Sequence, residues 1–188
     1  MDNDGGIRVV VIKAAGKAFC TGIDVSEFHG KTQQEYRQWV KLMEQVIHVI
    51  AAMKKPVIAQ VHGVAAANGA GLVAAADLAI AAETASMGLT AVNVGLNCVG
   101  PVVPVSRSVG RKRAMELLLY GELIKAPAAL DMGLINKVVS ADDLEMETRR
   151  WAGVLAAKSP LAVQIAKTAF YAAEDLEYGK AFTYMNEA

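Results

Sequence analysis

The amino-acid sequence predicts an α/β domain with a helical C-terminal end, and three observations carry this prediction. Runs of β-branched residues alternate with helix-favouring segments up to residue 139. Residues 140–188 contain helical patterns alone. Of the 188 residues, 54% are hydrophobic, and no repeat or linker interrupts them. Because such a chain can build one core, we expect a single domain with an α/β core over 1–139 and a helical region over 140–188.

The first half of the chain predicts three strands and two helices. Segment 7–14 (IRVVVIKA) is β-branched and is broken by Gly16, which is typical of a strand. Segment 57–61 predicts a buried strand, 69–76 a buried helix and 78–82 a second short strand. The clearest helix is expected over 32–53, where TQQE forms a capping box. Its apolar residues recur every three or four positions and are expected in the core: Tyr36, Trp39, Val40, Met43, Ile47 and Ile50.

The second half predicts one more strand among helices. GRKRAMELLLYGE, from residue 110, predicts a helix that ends near Gly121, and APAALDMG predicts a short helix closed by Gly133. INKVVS, residues 135–140, is typical of a strand. Ser140 is expected to cap the helix that follows, and Ser159 with Pro160 to begin the next one.

Composition excludes several classes of function. Lys and Arg number 19 and Asp and Glu number 19, so the balanced charge offers no footprint for nucleic acid or for an anionic membrane. The N-terminus lacks the basic and apolar regions of a signal peptide. Cys20 and Cys98 have no CxxC spacing, so we expect neither a disulfide framework nor a metal site. These features favour a protein of the reducing cytoplasm.

The stretch HGVAAANGAGLVAAADLAIAAE, residues 62–83, is unusually small and neutral. The uncharged run 56–76 has the length of a membrane span, but Gln60, His62 and Asn68 interrupt it and no basic cluster flanks it. A dinucleotide fingerprint, G-x-G-x-x-A, is matched by Gly69, Gly71 and Ala74. That match is weak, because residues 63–68 separate it from the strand and no acidic residue follows where the ribose needs one.

A third interpretation uses the backbone rather than side chains. The N-terminus of a helix offers unpaired N–H groups and a partial positive charge. The loop that enters the predicted helix at Asn68 and Gly69 is therefore a ready site for a developing oxyanion, and its small side chains let a ligand approach. A second donor is expected from the loop after the first strand, GKAFCTGID, which carries Gly16 and Gly22.

Three consecutive segments carry a family resemblance. They are GKAFCTGIDVSEF from residue 16, KKPVIAQVHGVAAANGAGLVAAADLAIAAETASMG from residue 54, and AMELLLYGELIKAPAALDMGLINKVV from residue 114. In this order and spacing the chain resembles the enoyl-CoA hydratase/isomerase (crotonase) superfamily. The resemblance implies a ClpP/crotonase-like spiral of ββα units with a helical C-terminal region. It also implies acyl-CoA thioesters as substrates, no further cofactor, and assembly into a homotrimer or a hexamer.

The resemblance implies that the thioester oxygen lies between two backbone N–H groups, those of Ile23 and Asn68. Preorganised donors of this kind stabilise an enolate-like transition state by on the order of 3 kcal/mol each. The substrate-binding residues that the resemblance implies are Lys17, Ala18, Phe19, Thr21, Gly22, Ile23, Asp24, Val25, Ala67, Asn68, Gly71 and Ala91. Asn68 stands where the family usually has glycine, and asparagine also tolerates a left-handed backbone conformation.

The chain departs from the family's pattern at two positions. Where family hydratases carry two glutamates, this sequence has Gly71 and Ala91. Those carboxylates position and deprotonate water and deliver a proton, which glycine and alanine cannot do. The chain is also shorter than the family's roughly 260 residues, so we expect it to lack the opening strand pair and the final helices.

Other polar residues are candidates to replace the two missing glutamates. Asp24, Glu27 and His29 follow the first loop, and His62 precedes the second. The simplest interpretation makes His29 solvated and gives His62 a turn-stabilising hydrogen bond, while Asp77 is structural. Cys20 and Cys98 are expected to be small core residues.

Three hypotheses stay open at this level. The chain is an acyl-CoA enzyme with a non-standard acid and base and weak hydratase activity, a non-catalytic acyl-CoA-binding or assembly subunit, or a dinucleotide-binding protein.

Overall fold

The computed structural model describes residues 2–28 and 30–187. The strands are β1 (Val10–Ile12), β2 (Val57–Val61), β3 (Val64–Ala66), β4 (Leu78–Ala82), β5 (Ser86–Gly88), β6 (Ile124–Lys125) and β7 (Lys137–Val139). The helices are α1 (Gln33–Ala52), α2 (Asn68–Ala75), α3 (Val102–Tyr120), α4 (Ala126–Asp131), α5 (Leu144–Ala156), α6 (Pro160–Ala173) and α7 (Tyr178–Glu187). Short 3₁₀ turns occupy Val25–Phe28 and Thr90–Val94.

Two sheets organise the α/β part of the chain. Four parallel strands form the first sheet in the order β1-β2-β4-β7. β3, β5 and β6 form the second, in which β3 pairs parallel with β5, and β5 pairs antiparallel with β6. Every residue of β2 is buried, which explains why four of its five residues are apolar, since a parallel strand is covered on both faces. The α/β class predicted from the sequence is confirmed.

The buried helix α2 lies at the centre of the core. It packs against α1 and α3, and its glycine and alanine residues let these elements approach closely. A Cβ built on Gly69 would lie 2.0 Å from the Cys20 carbonyl oxygen, so only glycine fits there. Small residues in this stretch are therefore required by packing, and they bring the loop before α2 against the loop at residue 20.

The long helix α1 begins as the sequence predicts but buries less of itself. Both hydrogen bonds of the capping box are present between Thr32 and Glu35. Of the six apolar positions expected in the core, only Ile47 and Ile50 are buried. That prediction is wrong for the N-terminal half of the stripe, because there the helix borders an open cavity instead of packed side chains. Trp39, Val40 and Met43 line this cavity.

Several boundaries differ from the prediction. β1 covers only the middle of segment 7–14, and β3 lies within what the sequence predicts as a loop. α3 begins eight residues before Gly110, whose φ of 74° and ψ of 166° break the helix into two pieces. Ser140 does not cap α5, because Asp143 occupies the cap position and Ser140 Oγ closes the preceding turn by accepting from the Asp143 N–H at 3.1 Å. The cap by Ser159 with Pro160 at the first helical position is confirmed.

A buried ionic cluster attaches α6 to the sheet. Lys167 Nζ donates to Asp77 Oδ2 at 2.7 Å and to the carbonyl oxygens of Ile50 and Lys55 at 2.9 and 3.0 Å. Tyr171 Oη donates to Asp77 Oδ1 at 2.9 Å. Burial and the Asp77 carboxylate raise the pKa of Tyr171, which stays protonated as a donor. Asp77 is structural, as the sequence predicts.

A second polar cluster fixes α5 against β7. Arg150 and Lys137 donate to the carboxylate of Glu147 at 2.8 and 2.6 Å. These hydrogen bonds hold the pKa of Glu147 well below its usual range.

None of the helices in residues 2–28 and 30–187 combines the length and the apolar character that a membrane span requires.

Candidate active site

Backbone contacts bring two loops of the chain together. Cys20 forms a parallel bridge with Ala65 of β3. Its N–H donates to the Val64 carbonyl at 3.1 Å, and its carbonyl accepts from the Ala66 N–H at 2.8 Å. The residues that follow each partner, from Thr21 and from Ala67, therefore continue side by side. This bridge places the Ile23 loop beside the N-terminus of α2.

These loops also approach each other closely at Gly22 and Ala67. Gly22 has a φ of 100°, and a Cβ built there would lie 3.1 Å from Ala67 Cβ and 3.9 Å from the amide nitrogen of Asn68. Ala67 itself has φ 51° and ψ −112°, a combination that side-chain-bearing residues rarely adopt. The sequence suggested a left-handed conformation at Asn68; the structure instead places the positive φ one residue earlier, and Asn68 begins the helix.

Both predicted amide donors border one cavity. This cavity has a volume of about 510 Å³. Its lining residues are Thr21, Ile23, Val25, Trp39, Val40, Met43, Glu44, Ala67, Asn68, Thr90, Ala91, Asn93, Val94, Leu96, Asn97, Val99, Gly100 and Pro101. Within residues 2–28 and 30–187, neither the Ile23 nor the Asn68 N–H donates to a backbone carbonyl. Ile23 and the first residue of α2 therefore border the same, mostly apolar space, and the N–H group of neither is used by a backbone carbonyl.

A narrower cleft adjoins the cavity along α1. It holds about 330 Å³ and shares Ile23, Trp39, Met43 and Asn68 with the larger space. The remaining walls of this cleft are Gly22, Asp24, Val46, Ile47 and Leu72. Ile23 and Asn68, which carry the two predicted amide donors, therefore border both spaces.

The structure brings together most of the substrate-binding residues predicted from the sequence. Thr21, Ile23, Val25, Ala67, Asn68 and Ala91 line the larger cavity, and Gly22 and Asp24 line the adjoining cleft. Four predicted residues lie outside both walls. Lys17 is exposed, Ala18 is half-buried, Phe19 is buried in the core, and Gly71 is enclosed by Ile47 and Pro101.

Two of the polar residues weighed as an acid or base are engaged elsewhere. Asp24 Oδ1 accepts from the Ser26 N–H at 2.9 Å and from Ser26 Oγ at 2.6 Å, and these bonds lower the pKa of Asp24. His62 Nε2 lies 3.0 Å from the Gly16 carbonyl oxygen, the turn-stabilising contact expected for it. His29 and the side chain of Glu27 lie outside the described part of the structure. Burial raises the pKa of the Cys98 thiol, in keeping with a core residue.

One acidic residue of the cavity belongs to none of the sequence motifs. Glu44 of α1 lines the larger space beside Met43. Its signal lies in the helical period, because Glu44 precedes the buried Ile47 by three positions and so faces the same side of α1. A carboxylate on an otherwise apolar stripe is the feature that could have identified it.

Comparison with known proteins agrees with this geometry. Residues 1–187 match the family described as enoyl-CoA hydratase/isomerase. The chain belongs to this family. It is similar to the mitochondrial enoyl-CoA hydratase domain-containing protein 3 of Rattus norvegicus, with 39% identity over 88% of this chain and 55% of the relative. A crotonyl-CoA hydratase of Syntrophomonas wolfei is 34% identical over 90% of this chain and 66% of the relative.

Solved structures of the enoyl-CoA hydratase/isomerase family have the same fold. The enoyl-CoA hydratase of Mycobacterium smegmatis has a TM-score of 0.96 and 37% identity, covering 99% of this chain and 73% of that one. Human enoyl-CoA hydratase domain-containing protein 3 has a TM-score of 0.94 and 36% identity, covering 99% and 74%. The crotonase-like fold predicted from the three motifs is confirmed. This chain spans little more than half the length of the rat relative, 55%.

Proposed function

We propose that this protein binds an acyl-CoA thioester whose carbonyl oxygen accepts hydrogen bonds from the Ile23 and Asn68 N–H groups. The observation that supports this most directly is that these two donors border the same cavity. As the first residue of α2, Asn68 also adds the positive end of the helix dipole. A neutral thioester gains less from this environment than the negatively charged enolate that forms from it.

The chemistry that this site favours is therefore that of a lyase or isomerase acting through an enolate, as in fatty acid metabolism. Trp39, Val40 and Met43 supply an apolar wall for the acyl chain. Hydration of an enoyl thioester needs a base for water and an acid for the α-carbon. Because Gly71 and Ala91 provide neither, we expect weak hydratase activity. No cofactor beyond the substrate's coenzyme A and no metal ion are part of this proposal.

A second candidate, a non-catalytic acyl-CoA-binding or assembly subunit, is favoured by one observation. A Cβ on Gly71 would lie 2.9 Å from both Ile47 Cδ1 and Pro101 Cβ. The packing therefore leaves no space for a carboxylate at this position.

The cellular compartment of the protein remains a prediction as well. The sequence favours the cytoplasm, whereas the rat relative is named as mitochondrial.

Thermal unfolding with and without ligand tests the binding proposal. A ligand that binds only the folded state raises the melting temperature by mass action. We expect protection by butyryl-CoA at millimolar concentration and none by NAD, which has no thioester. Absence of protection by the thioester would contradict the assignment of the site.

The variant pair Ile23→Pro and Ile23→Ala separates the amide from the side chain. Proline removes the N–H, whereas alanine keeps it and shortens only the side chain. We expect any turnover to fall about 100-fold or more in Ile23→Pro, with a smaller loss in Ile23→Ala. Equal losses in the two variants would mean that the amide is not a donor to the substrate.

A further inference from the structure

Among the described residues, one carboxylate side chain borders the cavity lined by Ile23 and Asn68, that of Glu44. The other described residues that line it are Thr, Ile, Val, Trp, Met, Ala, Asn, Leu, Gly and Pro. Glu44 is half-buried. A carboxylate on a mostly apolar cavity wall can accept a proton from a bound ligand or donate one to it.

The structure places this carboxylate beside Gly100, another residue of the cavity wall. A Cβ built on Gly100 would lie 2.4 Å from Glu44 Oε1 and 2.8 Å from Glu44 Cδ, so the carboxylate lies directly over the Gly100 backbone. The next residue, Pro101, packs on Gly71 of α2. Glu44 of α1 and Asn68 of α2 thus line the cavity from two different helices.

The carboxylate of Glu44 is not committed to another role in the described structure. Asp24, the other acidic residue bordering these spaces, binds Ser26. Arg107, which with Glu44 lines a separate neighbouring cavity, pairs instead with Glu174 and Asp175 at 3.6 and 2.8 Å. Among residues 2–28 and 30–187, no ion pair or hydrogen bond to the Glu44 side chain is found. Its oxygens are thus available to a ligand.

We propose that Glu44 transfers the proton at the α-carbon of the bound thioester, an inference that rests on the proposed function. The carboxylate accepts the α-proton as the α-carbon–hydrogen bond breaks. The electron pair forms the enolate double bond, and the carbonyl oxygen takes the negative charge between the Ile23 and Asn68 amides. In the reverse step the protonated Glu44 returns the proton to the α-carbon. No other reactant is required.

A single carboxylate can catalyse only some of the reactions that pass through an enolate. It supports exchange of α-protons and migration of a double bond, because one group can remove and return the same proton. It does not supply the second group that positions and activates water for hydration. With Glu44 in this role, the site can exchange α-protons and move a double bond although it lacks the two glutamates that hydration needs.

Exchange of α-hydrogen into solvent tests this assignment without requiring a complete reaction. The 188-residue chain is incubated with butyryl-CoA in D₂O, and the mass of the recovered thioester reports incorporated deuterium. We expect exchange with the wild type, a loss of about 100-fold or more with Glu44→Gln, and partial activity with Glu44→Asp. Glu83→Gln, which removes a carboxylate from an exposed turn, is the matched control and should exchange at the wild-type rate.

Thermal protection by butyryl-CoA, measured on the same samples, separates this proposal from the binding proposal. Glu44→Gln should retain the ligand-induced shift in melting temperature while losing exchange. Undiminished deuterium exchange in Glu44→Gln would overturn the assignment to Glu44. So would exchange that is lost in Asp24→Asn but kept in Glu44→Gln. A wild type that is protected by butyryl-CoA but exchanges no deuterium would also overturn it and leave binding intact, whereas no protection would overturn the proposed function itself.

Discussion

At the scale of single residues, small side chains determine where the two amide donors lie. Gly22 and Ala67 touch beside Asn68, and Gly69 accepts the close approach of the Cys20 carbonyl. Ala67 has a backbone conformation that costs of order 1–3 kcal/mol for a residue with a side chain. Its N–H donates to the Gly88 carbonyl at 2.8 Å and its carbonyl accepts from the Gly71 N–H at 3.1 Å. These bonds hold Ala67 in place and align the first turn of α2 with the cavity.

Gly71 and Ala91 respond differently to larger side chains. A Cβ at Gly71 would also lie 3.0 Å from the backbone Cα of Pro101, which cannot move independently. We expect Gly71→Ala to lower the free energy of unfolding by about 1–3 kcal/mol, and Gly71→Glu to lower it further because a buried carboxylate lacks partners. Urea denaturation measures both. Unchanged stability of Gly71→Ala would show that α2 and α3 are not packed this closely.

Adding a carboxylate at Ala91 is the milder change, since this residue is half-buried on the cavity wall. Together with Glu44, Ala91→Glu gives the cavity two acidic groups, the number that hydration needs. We expect crotonyl-CoA hydration to rise above a near-background wild-type rate, and to fall again in Ala91→Glu combined with Glu44→Gln. Robust hydration by the wild type would mean that another acid and base act at this site.

At the scale of elements, local sequence predicts what local interactions decide. The capping box of α1, the buried strands β2 and β4, and the start of α6 at Ser159 all follow from neighbouring residues. β3 was missed because its three residues are stabilised by pairing with β5 and with Cys20, both distant in sequence. The exposure of the N-terminal half of α1 likewise depends on loops that leave a cavity beside it. The cavity residues of the first and second loops were found through the family motifs, whereas Glu44 belongs to none of them.

One buried cluster, that of Asp77, Lys167 and Tyr171, attaches α6 to the sheet. Its contribution to the free energy of unfolding can therefore be measured by single substitutions. Lys167→Met removes the cation that Asp77 and two backbone carbonyls contact, and only 6% of the Lys167 side chain is exposed. Breaking a buried pair in this way costs about 3–5 kcal/mol. Tyr171→Phe removes one hydrogen bond to a charged group and should cost about 1.5–3 kcal/mol.

Urea denaturation of both variants tests this order of effects. Lys167→Met is expected to be the less stable of the two. An equal or smaller loss in Lys167→Met would mean that Asp77 is satisfied by the Val57 N–H, which donates to it at 2.7 Å, and by Tyr171 alone.

At the scale of the whole molecule, the described helices leave large apolar side chains uncovered. On α3, Met115, Leu119 and Tyr120 are 43%, 63% and 71% exposed. On α6, Leu161 and Phe170 are 65% and 59% exposed. Met115 and Leu119 are four positions apart and so lie on the same face of α3. Exposed apolar patches mark sites of protein association.

We therefore expect self-association at micromolar concentration, and the family resemblance implies a trimer or a dimer of trimers. Light scattering coupled to size-exclusion chromatography measures the mass. Leu119→Glu replaces a mostly exposed apolar side chain with a charged one, so it should reduce the number of subunits in the assembly with little effect on the fold. Thr84→Glu, the control, adds the same charge to an exposed turn and should leave the mass unchanged. A stable wild-type monomer would contradict the prediction, and an unchanged mass in Leu119→Glu would place the interface away from the end of α3.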